Sequence, residues 1–177
     1  MMKKIILPLL IIITASFGFA PANTVTRSAI TFQTKNMGIG VSGAISGLQA
    51  NVQFNPANLA SSTIEATVEV NTINTDNSLR DGHLKTDEFF DAARYPKITL
   101  KSVSFKHRSG NNYSGAFNLT IKNKTKLIEV PFSFTKNGNE MAFKGSFKLN
   151  RLDFGIGTSS LILSDNVIVN IEAGIGD

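Results

Sequence analysis

The chain has 177 residues, 42% of them apolar, and its 18 Lys and Arg against 13 Asp and Glu give a formal charge of +5. That length and apolar content fit one domain with a packed core and exclude a disordered chain. With no Cys and only 2 His, a disulfide framework, a thiolate zinc site, a cysteine nucleophile and a three-histidine metal site are all excluded.

Residues 1–22 read as a secretory signal peptide. Lys3 and Lys4 form a positive start, residues 5–19 an uncharged apolar stretch, and Ala20-Pro21-Ala22 an A-x-A processing site. The apolar stretch is too short to span a bilayer, which takes about 20 residues, and it carries Pro8. Cleavage near Ala22 leaves residues 23–177 as one domain, and loss of Lys3 and Lys4 lowers the formal charge to +3. The expected location is the periplasm, with no membrane-spanning segment left after processing. The remaining basic residues are scattered, not clustered, so nucleic acid is not an expected partner.

From residue 29 onward the chain alternates apolar and polar residues, the period of a half-buried strand. The weaker runs are residues 29–34, 39–45 and 98–105. The clear ones are residues 48–54, 64–70, 117–121, 130–134, 141–149 and 167–171. Turn signals separate them, among them Asn55-Pro56, Asn111-Asn112 and the hairpin pair Asn137-Gly138. No helix alternates with the strands, which removes a parallel α/β sheet. The pattern predicts an all-β fold, an up-and-down antiparallel barrel of about eight strands. Residues 77–95 break the pattern. There Thr86 reads as the cap of a short helix with Asp87 and Glu88 in its first turn, ended by Tyr95-Pro96.

The apolar face of these strands supplies a candidate lumen wall: Phe32, Ala50, Val52, Phe54, Ala66, Val68, Val70, Phe117, Leu119, Ile121, Phe132, Phe134, Phe143, Gly145 and Phe147. Small residues among the large ones, with Gly115 as a further case, remove filler volume from a barrel wide enough for one slim ligand. Leu84, Phe89 and Phe90 on the helical insertion are candidate lid residues over one end. An outer-membrane barrel would invert this face and needs aromatic girdles; the chain has no Trp and 2 Tyr.

Two motifs invite chemistry. Residues 38–43 match G-x-G-x-x-G, but strand-like sequence follows where a dinucleotide site needs a helix. Arg80 and His83 are candidate head-group contacts; Ser78, His83 and Asp81 also make a Ser-His-Asp set on paper, without a nucleophile elbow. The competing reading has these side chains pin the insertion to the rim.

The run from Arg80 to Pro96 (RDGHLKTDEFFDAARYP) resembles the signature of the YceI-like family almost residue for residue. In order along the chain, Asn55-Pro56 with Leu59, Gly115 through Leu119-Thr120-Ile121, and Arg151-Leu152-Asp153-Phe154-Gly155-Ile156 resemble further family segments. The resemblance implies a lipocalin-like barrel exported to the bacterial periplasm, similar to carriers of polyisoprenoids or isoprenoid quinones. It implies no catalytic set. The expected function is therefore a carrier of one apolar lipid and not an enzyme, with no cofactor or metal apart from that lipid or quinone ligand and with a homodimer as one available assembly. The rivals are a rim enzyme acting near His83 and a solid barrel that works through its surface.

Overall fold

The computed structural model describes residues 23–176, so the signal-peptide reading of residues 1–22 lies outside the described residues. Nine strands follow one another: β1 (Thr24–Asn36), β2 (Ile39–Ile45), β3 (Gln49–Gln53), β4 (Thr63–Glu69), β5 (Lys97–Ser109), β6 (Asn112–Ile121), β7 (Lys124–Asn137), β8 (Glu140–Asn150) and β9 (Asn166–Gly176). They form one antiparallel sheet in the order β2-β1-β9-β8-β7-β6-β5-β4-β3. Strands β3 to β9 are a simple meander, and the pairing of β1 with β9 rolls it into a barrel-like half-closed sheet.

Alternation explains the roll. On β4, Ile64, Ala66 and Val68 turn to the interior while Glu65 faces out and meets its register partner Lys101 on β5 at 2.6 Å. Lys144 on β8 and Glu172 on β9 repeat the device at 2.6 Å. Opposite charges directly across a ladder support the register, and a one-residue slip would turn both the charges and the apolar face over.

No ladder joins the edge strands β2 and β3 among the described residues. Ala44 on β2 instead exchanges backbone hydrogen bonds with Asn74, at 2.8 and 3.0 Å. Ser46 N–H donates to Thr72 Oγ1 at 2.9 Å, and Val52 N–H on β3 donates to Asn23 Oδ1 at 2.7 Å. These bonds occupy edge groups that would otherwise offer a template for aggregation. The motif at residues 38–43 falls in the β1–β2 hairpin, with no helix behind it.

The two ends of the barrel differ. At the end holding the β5–β6 and β7–β8 hairpins, Phe54 sits in a cage of Phe105, Tyr113, Phe132, Phe134 and Phe143, with ring centroids 4.7–5.7 Å away. Edge-to-face contacts of this kind contribute about 0.5–1.5 kcal/mol each beyond area burial. The other end, the mouth, is bordered by the β1–β2 hairpin, residues 70–96, the β6–β7 turn and residues 151–165.

The helix of the mouth is displaced from its expected position. It is α1 (Ser78–Leu84), capped by Asn77, whose Oδ1 accepts from Arg80 N–H at 3.0 Å. Residues 86–95 are a chain of turns. The Thr86 hydroxyl donates back to the His83 carbonyl at 2.8 Å, so it closes α1 and does not open a new helix. Asp91 then takes a left-handed φ of 51°, which turns the chain and leaves Phe89 and Phe90 half-buried beneath it.

Candidate functional site

Between the phenyl plug and the mouth lies an apolar cavity of about 260 Å³. One water needs roughly 10–15 Å³ measured in this way, so the bore is hollow and not a packing defect. A solid barrel is thereby excluded.

Twelve of the expected wall residues line the cavity: Phe32, Ala50, Val52, Ala66, Val68, Phe117, Leu119, Ile121, Phe132, Phe143, Gly145 and Phe147. The insertion contributes Leu84, Phe89 and Phe90 from the mouth side. Three expected wall residues lie elsewhere. Phe54 and Phe134 belong to the plug, because alternation fixes the face of a strand but not the height along the barrel axis. Val70 lies past the end of β4 in a 3₁₀ turn, 1% exposed, packed in a second cluster with Ile73 and Ala92. Gly115 leaves no void either: a Cβ there would collide with the rings of Phe117 and Phe105, which already fill that space.

The sequence reading missed part of the wall. Ile64, Val167, Val169 and Ile171 also line the cavity, on runs whose period of two is legible but which the candidate wall did not include. Ile156, Leu163 and Arg151 come from the irregular β8–β9 connection, which carries no periodic signal.

Arg151 is the unusual member. Its side chain is 4% exposed beside an apolar cavity, yet every arm has a partner. Nη1 donates to the Ile156 carbonyl at 2.8 Å, and Nε to the Ser164 carbonyl at 3.1 Å. Nη2 reaches the Thr158 carbonyl at 2.8 Å and Asp165 Oδ1 at 2.9 Å. A buried guanidinium is tolerated only when paired and hydrogen-bonded, and here the pairing shapes the whole 151–165 loop around one side chain. Gly157 permits the packing: a Cβ there would stand 3.0 Å from Arg151 Nη1 and 3.1 Å from the Phe89 ring. The loop is tied to the insertion by Gly157 N–H donating to the Glu88 carbonyl at 2.9 Å, and by Lys122 Nζ bridging the Asp87 and Gly155 carbonyls at 3.0 and 3.3 Å.

Neither candidate head-group residue lines the cavity. Arg80 donates from Nε to Thr75 Oγ1 at 2.8 Å and from Nη2 to the Thr75 carbonyl at 2.7 Å. The Thr75 hydroxyl in turn donates to Asp81 Oδ1 at 2.6 Å. Arg80 and Asp81 thus converge on buried Thr75 and pin α1 to the chain before it. His83 is half exposed, 3.6 Å from Glu88 and with its ring 4.8 Å from that of Phe89. With Asp81 engaged by Thr75 and His83 turned toward Glu88, the Ser-His-Asp set of the sequence is not brought together.

Two carboxylates on the outer surface are shifted below their ordinary range, and neither lines the cavity. Glu129 is lowered first by the Ser114 hydroxyl and then by Arg108, and Glu140 first by Thr26, whose Oγ1 lies at 2.6 Å, with Arg27 adding to it. Among the described residues no group of three or more His, Asp or Glu is placed to hold a metal ion.

Relatives share this architecture. A UPF0312 protein of Vibrio cholerae serotype O1 is 25% identical over 146 residues, which covers 77% of each chain. The crystal structure of Burkholderia cenocepacia BcnA is similar with a TM-score of 0.79 at 27% identity, over 83% of this chain and 95% of that one. A polyisoprenoid binding domain from Saccharophagus degradans, implicated in plant cell wall breakdown, is similar in fold with a TM-score of 0.70 at 14% identity, over 87% of this chain and 96% of its own. The model of the YceI-like domain matches residues 23–175, and on that match the chain belongs to the YceI-like family.

Proposed function

We propose that the protein is a periplasmic carrier that holds one long apolar lipid, a polyisoprenoid or isoprenoid quinone, along the barrel axis. The observation that carries this reading is the apolar cavity of about 260 Å³ that runs from the phenyl plug to the mouth. Each methylene moved from water into such a wall contributes about 0.8 kcal/mol, so ten of them gain about 8 kcal/mol, the scale of micromolar binding before ordering costs. No hydrogen bond to the chain is required, in keeping with a wall whose one charged member, Arg151, has its donors engaged by the 151–165 loop. Fold likeness to a polyisoprenoid binding domain supports the ligand class. The charged, apolar and A-x-A segments of residues 1–22 support export. Leu84, Phe89 and Phe90 act as a lid, and the polar end of the lipid stays at the mouth.

The test is uptake. Delipidated protein is mixed with a prenyl quinone in micelles and re-isolated by gel filtration, and the retained quinone is counted. One quinone per chain is expected. Retention of neither the quinone nor a linear polyprenol would overturn the reading.

A further inference from the structure

Five of the eight large apolar side chains exposed among the described residues lie at the mouth: Met37, Ile39, Leu79, Leu161 and Ile162. Four of them form one built surface. Met37 N–H donates to the Ile162 carbonyl at 2.7 Å, Ser164 N–H donates to the Lys35 carbonyl at 2.8 Å, and Asn36 bridges to Leu163. The β1–β2 hairpin and the β8–β9 loop are therefore stitched side by side. The Ser160 hydroxyl accepts from both Ile162 and Leu163 N–H at 3.2 Å, which holds the loop tip in shape. Leu161 projects from that tip fully exposed, while Leu163, two residues on, faces the cavity. An exposed apolar cluster in an aqueous protein marks a contact surface.

Charge selects the partner. Residues 154–164 carry no carboxylate, and the Asp165 that follows is engaged by Arg151. Lys35 lies on the hairpin beside the cluster, its carbonyl bonded by Ser164 N–H. Lys122, bonded to the Gly155 carbonyl, and Lys124, whose Nζ lies against Gly155, stand at the start of the same loop. Asp153 is the single opposing carboxylate on this stretch. Asp87, Glu88 and Asp91 stand on the insertion, which bonds to the loop at its Gly155–Gly157 start. A carboxylate-free apolar tip with lysines on its hairpin and at the base of its loop matches the interface of an anionic bilayer, where the apolar groups enter the headgroup boundary and the lysines meet phosphate.

We infer that the hairpin–loop tip, with Leu161 and Ile162 at its apex, docks the protein onto an anionic phospholipid surface, with the mouth facing the membrane from which the lipid enters. The choice of a bilayer rests on the carrier reading, since a water-insoluble ligand must cross from membrane to cavity next to Leu163.

The experiment is vesicle flotation with phosphatidylcholine alone and with a quarter phosphatidylglycerol. The protein floats with the mixed vesicles, less with neutral ones and less at high salt. The Leu161→Asp/Ile162→Asp double variant loses at least about tenfold in partitioning. Both positions are exposed, so the variant keeps its melting temperature, and it takes up prenyl quinone from micelles as before. Wild-type protein that fails to float with either vesicle, or a double variant that partitions like wild type, overturns the inference. So does a concentration-dependent dimer that the double substitution dissolves while vesicle binding is unchanged. Flotation that persists while quinone uptake fails retains the surface and sinks only the carrier reading.

Discussion

Replacing Ala66 by Phe should close the bore without harming the barrel. Ala66 lies on β4 between Ala50 on β3 and Leu100 on β5, and all three line the cavity. A phenyl placed there takes the room of roughly four or five methylenes of ligand, a loss of ~3.5 kcal/mol or a few hundredfold in affinity at about 0.8 kcal/mol each. Gly145 is the poorer choice, because a Cβ there would already stand 3.1 Å from the Pro131 carbonyl and 3.3 Å from Val130, and misfolding would confuse the result. The assay is competition of a prenyl quinone against a fluorescent apolar probe, with a thermal melt on the same sample. The melt of Ala66→Phe should hold or rise, since the ring fills apolar void. Glu65→Gln on the outer face of the same strand should leave quinone affinity unchanged. Wild-type affinity in a folded Ala66→Phe protein would refute the placement of the ligand in this cavity.

Three further outcomes follow from the same geometry. Arg151→Leu strands several carbonyls of the mouth loop and Asp165; with a cost of about 3–5 kcal/mol for breaking such a buried arrangement and about 2–4 °C per kcal/mol for a domain of this size, the melting temperature should fall by about 6–20 °C. A fall under 2 °C would show that the loop does not depend on it. Phe90→Ala opens the lid and should speed release of bound quinone in stopped-flow, with a fall in melting temperature because Phe90 packs against both apolar clusters; an unchanged release rate counts against a lid. Ser114→Ala removes the larger of the influences that hold Glu129 below its ordinary value of 4.5, so a carboxyl NMR titration should move up. Because the folded value is the depressed one, the stabilisation is present above the ordinary value and lost as pH falls through the folded one. An unmoved titration would assign the shift to Arg108 alone.

The barrel was legible because its strands are half-buried. In residues 64–70 every second side chain must avoid water, and that period of two survives in the bare sequence. Strand ends were less legible. β1 begins at Thr24, well before its alternation is clear, because Thr24, Arg27 and Ser28 pair with β9 around a bulge at Thr26, and all four side chains are exposed. The helix was misplaced for a physical reason. Ser78–Leu84 contains Gly82 and little apolar periodicity, so only its Asn77 cap favours it. Residues 86–93 have the better helical composition, yet the left-handed Asp91 and the burial of Phe89 and Phe90 override it. The mouth loop left no periodic signal, although its residues 151–156 carry part of the family resemblance, since a fold organised around one guanidinium leaves no period behind.

The wall was readable as a face but not as a volume. Phe54, Phe134 and Phe132 share an inward orientation, yet only Phe132 reaches the cavity. Which phenyls plug and which line depends on axial height, set by register and hairpin length, which alternation does not encode.

The most direct measurement is native mass spectrometry of the protein recovered from the periplasm of a bacterial host, followed by solvent extraction and mass identification of whatever travels with it. One isoprenoid lipid per chain is expected, displaced in Ala66→Phe. Protein that arrives bare, and that stays bare after incubation with prenyl quinone, would contradict it.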